Sequence, residues 1–297
     1  MNIPFLKYKK IYYIFSGLLA LTAILLVLIF GLKFGIDFLG GSILEVEFSE
    51  RPENKIIQEK LKDLNLGEVT IQPTGEKGVI LRFGDINEET HQKIISKLKE
   101  ISEIQEKRFE SIGPSIGQEL SRKTLILIAV SLLALLIYIA IAFRRVSGPI
   151  SSWQYGIISI ITLFFDILIP IGLLSLLGKF YNIQFNVAII TALLTILGYT
   201  INDKVIIFDR IRENLLRDKG MDFESLVDKS LNQTLSRSLS TGFCSLLALF
   251  AIFVFGGETL KYFALTLIVG ILVGTYSSIF IASSIIVSWF TWRHRRE

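Results

Sequence analysis

The sequence predicts an integral membrane protein, mainly α-helical, with six transmembrane helices and one α+β domain between the first two. Two observations predict this fold class. Hydrophobic residues make up 51% of the 297 residues, and the mean hydropathy of +0.56 is one that soluble proteins of this length rarely reach. The apolar residues are gathered in six long stretches, and a polar segment, residues 33–123, separates the first stretch from the second.

Each apolar stretch reaches or approaches the roughly 20 residues that a helix needs to cross the hydrocarbon core of a bilayer. The stretches are Ile11–Leu32, Thr124–Phe143, Trp153–Leu177, Val187–Phe208, Leu239–Phe255 and Phe263–Phe290. The first follows several lysines, as a secretion signal would. It is too long for the apolar part of a signal peptide and leads to no convincing cleavage site, so we expect an uncleaved anchor.

The Lys and Arg residues near the ends of these stretches predict their orientation. One set of connections is rich in cations, whereas the opposite short loops carry Lys179 on one and Glu258 with Lys261 on the other. Because cytoplasmic loops carry the excess of Lys and Arg, both termini are expected in the cytoplasm and residues 33–123 outside. The cations of the cytoplasmic set are Lys7, Lys9, Lys10, Arg144, Arg145, Arg210, Arg212, Arg217, Arg293, Arg295 and Arg296.

The segment outside carries 14 Lys and Arg against 17 Asp and Glu, a net charge of −3, which leaves +7 for the remainder. Its hydrophobic pattern predicts the order β-α-β-β-α-β, that of a ferredoxin-like unit. Strands are expected at 43–48, 68–73, 78–83 and 107–112, and helices at 52–64 and 87–101. The expected domains are 1–32, the cytoplasmic N-terminus and first span; 33–123, the external α+β domain; and 124–297, the other five spans and the cytoplasmic C-terminus.

The sequence offers little for catalysis or metal binding. The single cysteine, Cys244, excludes a disulfide or a paired-thiol site within one chain. His91 and His294 lie far apart and show no metal-ligand spacing. Residues 33–123 contain neither a nucleophile constellation nor a phosphate-binding loop. We therefore expect no enzyme, no cofactor, no metal and no nucleic-acid partner.

Asp166, Asp203 and Arg237 are ionisable residues in or at the edge of the predicted spans. A carboxylate at the centre of a membrane helix costs roughly 2.5–3.5 kcal/mol, so some interaction must offset that cost. Asp203 lies about one turn inside the cytoplasmic end of the fourth span. Arg237 lies at the cytoplasmic start of the fifth, so the two are expected at similar depth and are able to pair. Together these groups indicate an ion or proton pathway.

Each of the three residues also has a simpler interpretation. Asp203 lies in the stretch GYTINDKVIIFDRIREN. It can also be a boundary residue in water, with Lys204 extending to the headgroups. Arg237 is explained as a cation at the cytoplasmic edge, and Asp166 as a cap for a helix break at Pro170. The residues alone leave these alternatives open.

Two further patterns concern helix packing. Gly270 and Gly274 form a small-xxx-small face in the sixth stretch, followed by Ser277 and Ser278, which permits close helix approach and shared hydrogen bonds. Between stretches four and five, Asp222 is expected to cap an amphipathic helix. The apolar face of that helix packs on the membrane surface, on a partner helix or on its own bundle. This face comprises Phe223, Leu226, Val227 and Leu231.

Five motifs follow one another in the order typical of one family. They are GIDFLGGS (35–42), SIGPSIGQEL (111–120), GYTINDKVIIFDRIREN (198–214), LNQTLSRSLSTG (231–242) and FGGETLKYFALTLIVGILVGTYSSIFIAS (255–283). With them the chain resembles the SecF family of protein-export subunits, in the resistance–nodulation–division superfamily. The resemblance extends from about residue 33 to 285 and includes six spans and one large external loop.

The resemblance implies a role in protein transport across the bacterial cytoplasmic (inner) membrane. Members of this family work with SecD, which supplies another six spans, and this explains why no internal repeat is detectable here. The pair assists the SecYEG channel and uses the proton-motive force to draw out or release the emerging chain. The implied partners are therefore SecD, SecYEG, the translocating preprotein and the lipid bilayer.

The resemblance also implies roles for individual residues. Asp203 matches the motif aspartate and Arg237 the motif arginine, which are the family's conduction-linked charges, and Asp166 matches the aspartate of the third span. At the position after the motif aspartate the family commonly has a small hydroxyl residue, and this chain has Lys204. Since neighbours on a helix point about 100° apart, Lys204 either stands beside Asp203 or faces the headgroups. The other motif residues are Gly35, Asp37, Gly40, Gly41, Gly198, Asn202, Asp209, Arg210, Gly270 and Gly274.

Two other functions are compatible with a chain of this kind. An intramembrane aspartyl protease needs two membrane carboxylates that share a proton, but the chain lacks the GxGD motif of such enzymes. A small-molecule exporter of the same superfamily usually carries both six-span halves in one chain, and this chain has one. Proton and sodium coupling both remain open, because one acidic site does not distinguish them.

Overall fold

Six helices of the structure, a computed structural model, are long and apolar enough to cross a membrane within the described residues 3–142, 151–218 and 220–294. These candidate spans are Phe5–Phe30, Pro114–Ile139, Trp153–Tyr181, Val187–Arg217, Phe223–Phe255 and Leu260–Arg293. With a small four-stranded sheet between the first and the second, they confirm the expected fold class. Phe143, Arg144, Arg145, Arg295 and Arg296, used above for span limits and orientation, lie outside the described residues.

The chain divides into two compact units. The helical unit comprises Met1–Leu32, Ile128–Ile183 and Ala188–Glu297, and the α+β unit comprises Lys33–Leu127 and Gln184–Val187. In chain order the elements are a 3₁₀ turn Phe5–Tyr8, α1 Lys9–Phe30, α2 Ile36–Leu39, β1 Gly41–Phe48, α3 Asn54–Leu61, a 3₁₀ turn Lys62–Leu64, β2 Thr70–Thr74, β3 Gly78–Phe83, α4 Glu88–Lys99, β4 Ile104–Ile112, α5 Pro114–Ala142, α6 Ser152–Tyr181, α7 Val187–Arg217, α8 Phe223–Phe255, α9 Glu258–Tyr276, a π-helical turn Ser277–Ala282 and α10 Ser283–His294.

The α+β unit contains an antiparallel sheet in the order β2-β3-β1-β4, which is the ferredoxin-like order expected from the hydrophobic pattern. Alternation along β1 places Leu44, Val46 and Phe48 on one buried face. These side chains form a core with apolar residues of the two helices, since Ile57 of α3 and Ile94 of α4 are fully buried in the same cluster. The sequence pattern thus determines both the topology and the core of this unit.

Side chains cap the starts of two helices, and the sequence predicts the cap at Asp222. Asn87 precedes α4, and its side-chain oxygen accepts a hydrogen bond from the Thr90 N–H at 3.0 Å. Asp222 precedes α8 and accepts from the Ser225 N–H at 3.2 Å. Helix α3 begins at Asn54, two residues later than expected. These side chains satisfy backbone donors that the first helical turn leaves without an intrahelical partner.

Helix α8 differs from the prediction, because the amphipathic segment and the fifth span are one continuous helix from Phe223 to Phe255. The apolar face at its start, which includes Leu226 and Val227, is buried in the core of the helical unit. Phe223 packs against Phe290 of α10 with ring centroids 4.2 Å apart. Of the three interpretations of this face, packing on its own bundle is therefore the one found.

Glycines bring the last span close to the fourth. A Cβ on Gly270 would lie 2.1 Å from Cδ1 of Ile196 on α7, and one on Gly274 would lie 1.9 Å from Cγ2 of Thr200. The two glycines are four residues apart on α9, and the two residues that they meet are four residues apart on α7. The two backbones therefore approach each other over a full helical turn. The small-xxx-small face predicted in the sixth stretch thus packs against α7.

We predict that Gly270→Ala destabilises the chain by about 1–3 kcal/mol, because the added methyl overpacks the contact with Ile196. Thermal unfolding of the chain in detergent checks this through a lower midpoint. Gly17→Ala in α1 serves as the control, since a Cβ there has nothing within 4 Å. Equal midpoints for the two variants would contradict the close α7–α9 contact.

Candidate functional site

A buried ion pair joins the third and fourth spans. The Lys204 Nζ on α7 donates to Asp166 Oδ2 on α6 at 2.5 Å, and both side chains are 0% exposed. The other carboxylate oxygen, Asp166 Oδ1, accepts a hydrogen bond from the Ser277 hydroxyl. Both oxygens of the carboxylate therefore have a donor, which is the condition under which a buried charge is tolerated.

Three local features of the sequence build this cluster. Ser277 begins the π-helical turn between α9 and α10, and π-helical insertions are frequent at functional sites. Gly274, one turn earlier, lies beside the carboxylate and lets α9 approach α7, since a Cβ there would lie 1.9 Å from Thr200 Cγ2 and 3.7 Å from Asp166 Oδ2. Ser278 donates back to the Gly274 carbonyl at 2.7 Å, which holds the turn.

Two of the sequence-based interpretations are wrong at this cluster. Lys204 does not extend to the headgroups, because its ammonium is enclosed in the bundle against Asp166. Asp166 does not cap a break at Pro170, since α6 is unbroken from Ser152 to Tyr181. The proline removes the N–H that would bond the Asp166 carbonyl, but the neighbouring turns hold the helix. Among the described residues, the side-chain partners of the Asp166 carboxylate are the Lys204 ammonium and the Ser277 hydroxyl.

Asp203 occupies a different setting one residue away. Asp203 is only 3% exposed. The Ser238 hydroxyl of α8 lies beside its carboxylate, but the two groups do not form a hydrogen bond of normal geometry. Within the described residues, no ion pair within 4 Å involves Asp203. Lys204 and Arg237 both act on the carboxylate through space, and Arg237 is itself exposed. The expected Asp203–Arg237 pairing is thus not formed in this structure.

Buried hydroxyl groups accompany Asp203 on the surrounding helices. In the part of the chain that the structure describes, the hydroxyls of Tyr199, Thr200, Ser238 and Thr275 are buried and have no hydrogen-bond partner. Tyr199 and Thr200 lie one turn before Asp203 on α7, and Thr275 lies beside Gly242 of α8, one turn after Ser238. Buried polar groups in proteins are normally hydrogen-bonded to protein or to ordered water, so these hydroxyls are available as hydrogen-bonding groups inside the bundle.

A polar stripe runs along the exposed side of α7. Its members recur at intervals of three, four or seven residues, so they share one face of the helix. They are Thr191, Thr195, Gly198, Asn202 and Asp209, all of them exposed. At bilayer depth, small and hydroxyl or amide side chains are typical of a face that packs against another helix.

The remaining motif residues lie in two other places. The α+β unit contains four of them, namely Gly35, Asp37, Gly40 and Gly41. The ionisable residues Asp166, Asp203 and Arg237 belong to the helical unit. Arg210, half-buried on α7, donates to the Gln233 side chain of α8 at 2.7 Å. Asp209 lies 3.3 Å from Arg212 on the exposed end of α7.

Sequence reasoning missed the role of Lys204. The signal was present, because a cation and a carboxylate stood on consecutive membrane helices without an assigned partner. The sequence predicts a partner for the neighbouring Asp203 instead. The sequence alone does not show which side chains of α7 point towards α6. The sequence predicts a helix-packing role for Ser277, and its hydrogen bond to Asp166 adds a second role.

Comparison with known proteins identifies two matching family models. The model described as "Protein export membrane protein SecD/SecF, C-terminal" matches residues 92–292, and the model "SecD/SecF GG Motif" matches residues 26–50. Among relatives, the chain is 37% identical to "Protein translocase subunit SecF" of Thermobaculum terrenum, over 97% of this chain and 94% of the relative. The corresponding protein of Anaerolinea thermophila is 36% identical, over 96% and 94%.

Solved structures agree with these matches. A crystal structure of SecDF, a translocon-associated membrane protein from Thermus thermophilus, superposes with a TM-score of 0.86 at 32% identity. The match covers 97% of this chain but only 39% of the SecDF chain. SecDF in its super-membrane-facing form gives a TM-score of 0.71 at 31% identity, over 100% and 40%. The chain therefore spans about two fifths of the length of the SecDF chains it matches.

We predict that Lys204→Met destabilises the chain by about 3–5 kcal/mol, because it leaves the Asp166 carboxylate buried without its cation. Adding Asp166→Leu to Lys204→Met should recover most of that loss, since the neutral pair has no charge to bury. Denaturant titration of both variants in detergent measures the difference. If the double variant were no more stable than Lys204→Met alone, the loss would not come from an uncompensated carboxylate.

Proposed function

The chain belongs to the SecD/SecF family of protein export membrane proteins, and from this premise we propose that it works with a SecD-type partner in proton-driven protein export. It is a multi-pass membrane subunit of the translocase type. Its proposed place is the bacterial cytoplasmic membrane, with both termini in the cytoplasm and the α+β domain outside. There the pair would assist the SecYEG channel by acting on the preprotein that emerges from it.

The polar stripe on α7 supports a membrane-embedded partner. Exposed threonine, glycine and asparagine gain little from lipid, whereas a second helix offers them close packing and hydrogen bonds. The matched SecDF chains are more than twice as long as this chain, which suits a second chain that supplies the remainder. We therefore assign the stripe to contact with spans of the SecD-type partner.

The contrast between the two buried carboxylates carries the proton-coupled part of the proposal. Asp166 is neutralised by Lys204, so its charge is already compensated within the chain. Asp203 is buried without a cation within 4 Å among the described residues. A buried carboxylate in that situation binds or releases a proton as its neighbours move. Asp203 is accordingly the proposed proton carrier, and Asp166 its fixed, compensated neighbour.

Arg237 supplies a movable charge in this proposal. It is exposed on α8 and already acts on Asp203 through space, so a small displacement of α8 against α7 would change their interaction. Moving one elementary charge across about 100 mV yields roughly 2.3 kcal/mol. This amount is enough to shift a domain between two arrangements of similar free energy.

We predict that Asp203→Asn and Arg237→Ala each abolish the dependence of protein release on the proton gradient. Asp203→Asn removes the carboxylate that holds the proton. Arg237→Ala removes the cation that interacts with this carboxylate. Release of a secreted protein from vesicles containing the complete export apparatus, with and without an imposed gradient, measures the effect. Asp63→Asn in the α+β domain, an exposed carboxylate, is the control and should retain the dependence. Retention of the dependence in both test variants would show the pathway assignment to be wrong.

We also predict that Gly198→Leu weakens association with the SecD-type partner without destabilising the chain alone. A Cβ on Gly198 meets nothing within 4 Å inside the chain, so the bulk would project only from the stripe. Co-purification of the partner from detergent, scored against the thermal midpoint of the isolated chain, separates the two effects. Gly17→Leu, at an equally open glycine of α1, should leave co-purification unchanged. Loss of partner with Gly17→Leu but not with Gly198→Leu would place the interface elsewhere.

A further inference from the structure

The segment 33–37 lies against the residues that lead into α7. Phe34 and Phe185 form a parallel β-bridge, in which the Gly35 N–H donates to the Phe185 carbonyl at 2.9 Å. The Phe185 N–H in turn donates to the Lys33 carbonyl at 2.6 Å. The two phenylalanine rings meet edge to face with centroids 5.9 Å apart. Backbone and side chains thus fasten these two segments together.

Asp37 completes this contact at the first residue of α7. Its Oδ2 accepts a hydrogen bond from the Val187 N–H at 2.8 Å, 150 residues away in sequence. The first N–H groups of a helix have no intrahelical acceptor, and a carboxylate is favoured at this end by the helix dipole. Asp37 therefore caps α7 at Val187, a residue of the same unit, and this cap explains the aspartate of the GIDFLGG motif physically.

The two glycines that follow bind the same segment to the start of α5 and to the sheet. Gly40 has φ +77°, and a Cβ there would lie 2.9 Å from the Cα of Pro114. Gly41 has φ +129°, and a Cβ there would lie 2.8 Å from the Phe83 carbonyl oxygen of β3. Only glycine fits this backbone and this spacing. Residues 33–41 are thus a junction that holds the first residues of α5 and α7 on the sheet.

Helix α7 is continuous from Val187 to Arg217 and carries both Lys204 and Asp203. Asp203 lies 16 residues after the capped end, a distance of about 24 Å along the helix at 1.5 Å per residue. A continuous helix transmits an axial shift or a rotation along its length, provided that its end is fixed. The junction provides that fixed end.

We propose that Asp37 is a positioning residue which couples α7 to the α+β domain, so that a change at Asp203 moves that domain. The inference rests on the proposed function, because it assumes that Asp203 drives export. Asp37 would not touch the proton or the preprotein. Its role is to keep the first turn of α7 attached to the junction while the helix moves.

The test compares Asp37→Ala, which removes the acceptor, with Asp37→Asn, which keeps an oxygen able to cap. In the complex with the partner, amide hydrogen exchange of the first turn of α7 should be roughly five- to tenfold faster in Asp37→Ala. It should be close to the original rate in Asp37→Asn. Gradient-dependent release should be lost in Asp37→Ala and kept in Asp37→Asn, while partner association and gradient-independent release stay unchanged in both. Full gradient dependence in Asp37→Ala despite faster exchange would overturn the proposal, as would equal loss in both variants.

A covalent link gives an independent arm. Phe34→Cys with Phe185→Cys places two thiols on directly paired residues of neighbouring strands, which lie within the Cα separation that a disulfide bridges. In a Cys244→Ser background, oxidising this pair in Asp37→Ala should restore gradient-dependent release, and reduction should remove it again. Absence of restoration in a chain shown to be cross-linked would overturn the coupling role. Failure of the proposed function is distinguishable, since the unaltered chain would then show no gradient dependence at all.

Discussion

The buried ion pair between Lys204 and Asp166 is the constraint on which the helical unit depends. Removing two charges from water costs several kcal/mol for each ion, and only short, fully satisfied contacts offset such a cost. The pair therefore requires α6, α7 and the π-helical turn at Ser277 to keep one register. Gly270 and Gly274 allow the approach of α9 to α7 that brings Ser277 within reach. The compensation of the buried charges therefore depends on the close packing of these helices.

Compensation within the chain also assigns different roles to the two membrane carboxylates. Asp166 has a cation and a hydroxyl bound to its two oxygens, whereas Asp203 lies beside the buried Ser238 hydroxyl and forms no ion pair within 4 Å among the described residues. The exposed polar stripe follows the same helix as Asp203, on a face available to another chain. In the proposed function, helix α7 thus combines an internal anchor, the group that exchanges a proton and the surface for a partner. The first residue of this helix, Val187, donates its N–H to the Asp37 carboxylate.

Much of this architecture was predictable from local patterns. The six apolar stretches, the βαββαβ order, the caps at Asn87 and Asp222 and the glycine face of the last span all depend on residues close in sequence. The continuous α8 was not predictable, because polar residues around Gln233 also suit a loop between two helices. The Lys204–Asp166 pair and the Asp37 cap join residues 38 and 150 positions apart. Such contacts are set by helix rotation and tertiary packing, which periodicity does not specify. The expected pairing of Asp203 with Arg237 shows the same limit, since similar depth is not contact.

Acid-induced infrared difference spectroscopy of the chain in complex with its partner tests most directly where the transferable proton resides. Protonation of a carboxylate produces a C=O stretching band that isotope labelling of aspartate identifies. If Asp203 carries the proton, this band disappears in Asp203→Asn and persists in Asp166→Asn, where Lys204 no longer has its carboxylate. A band that persists in Asp203→Asn and disappears in Asp166→Asn would contradict the division of roles between the two residues.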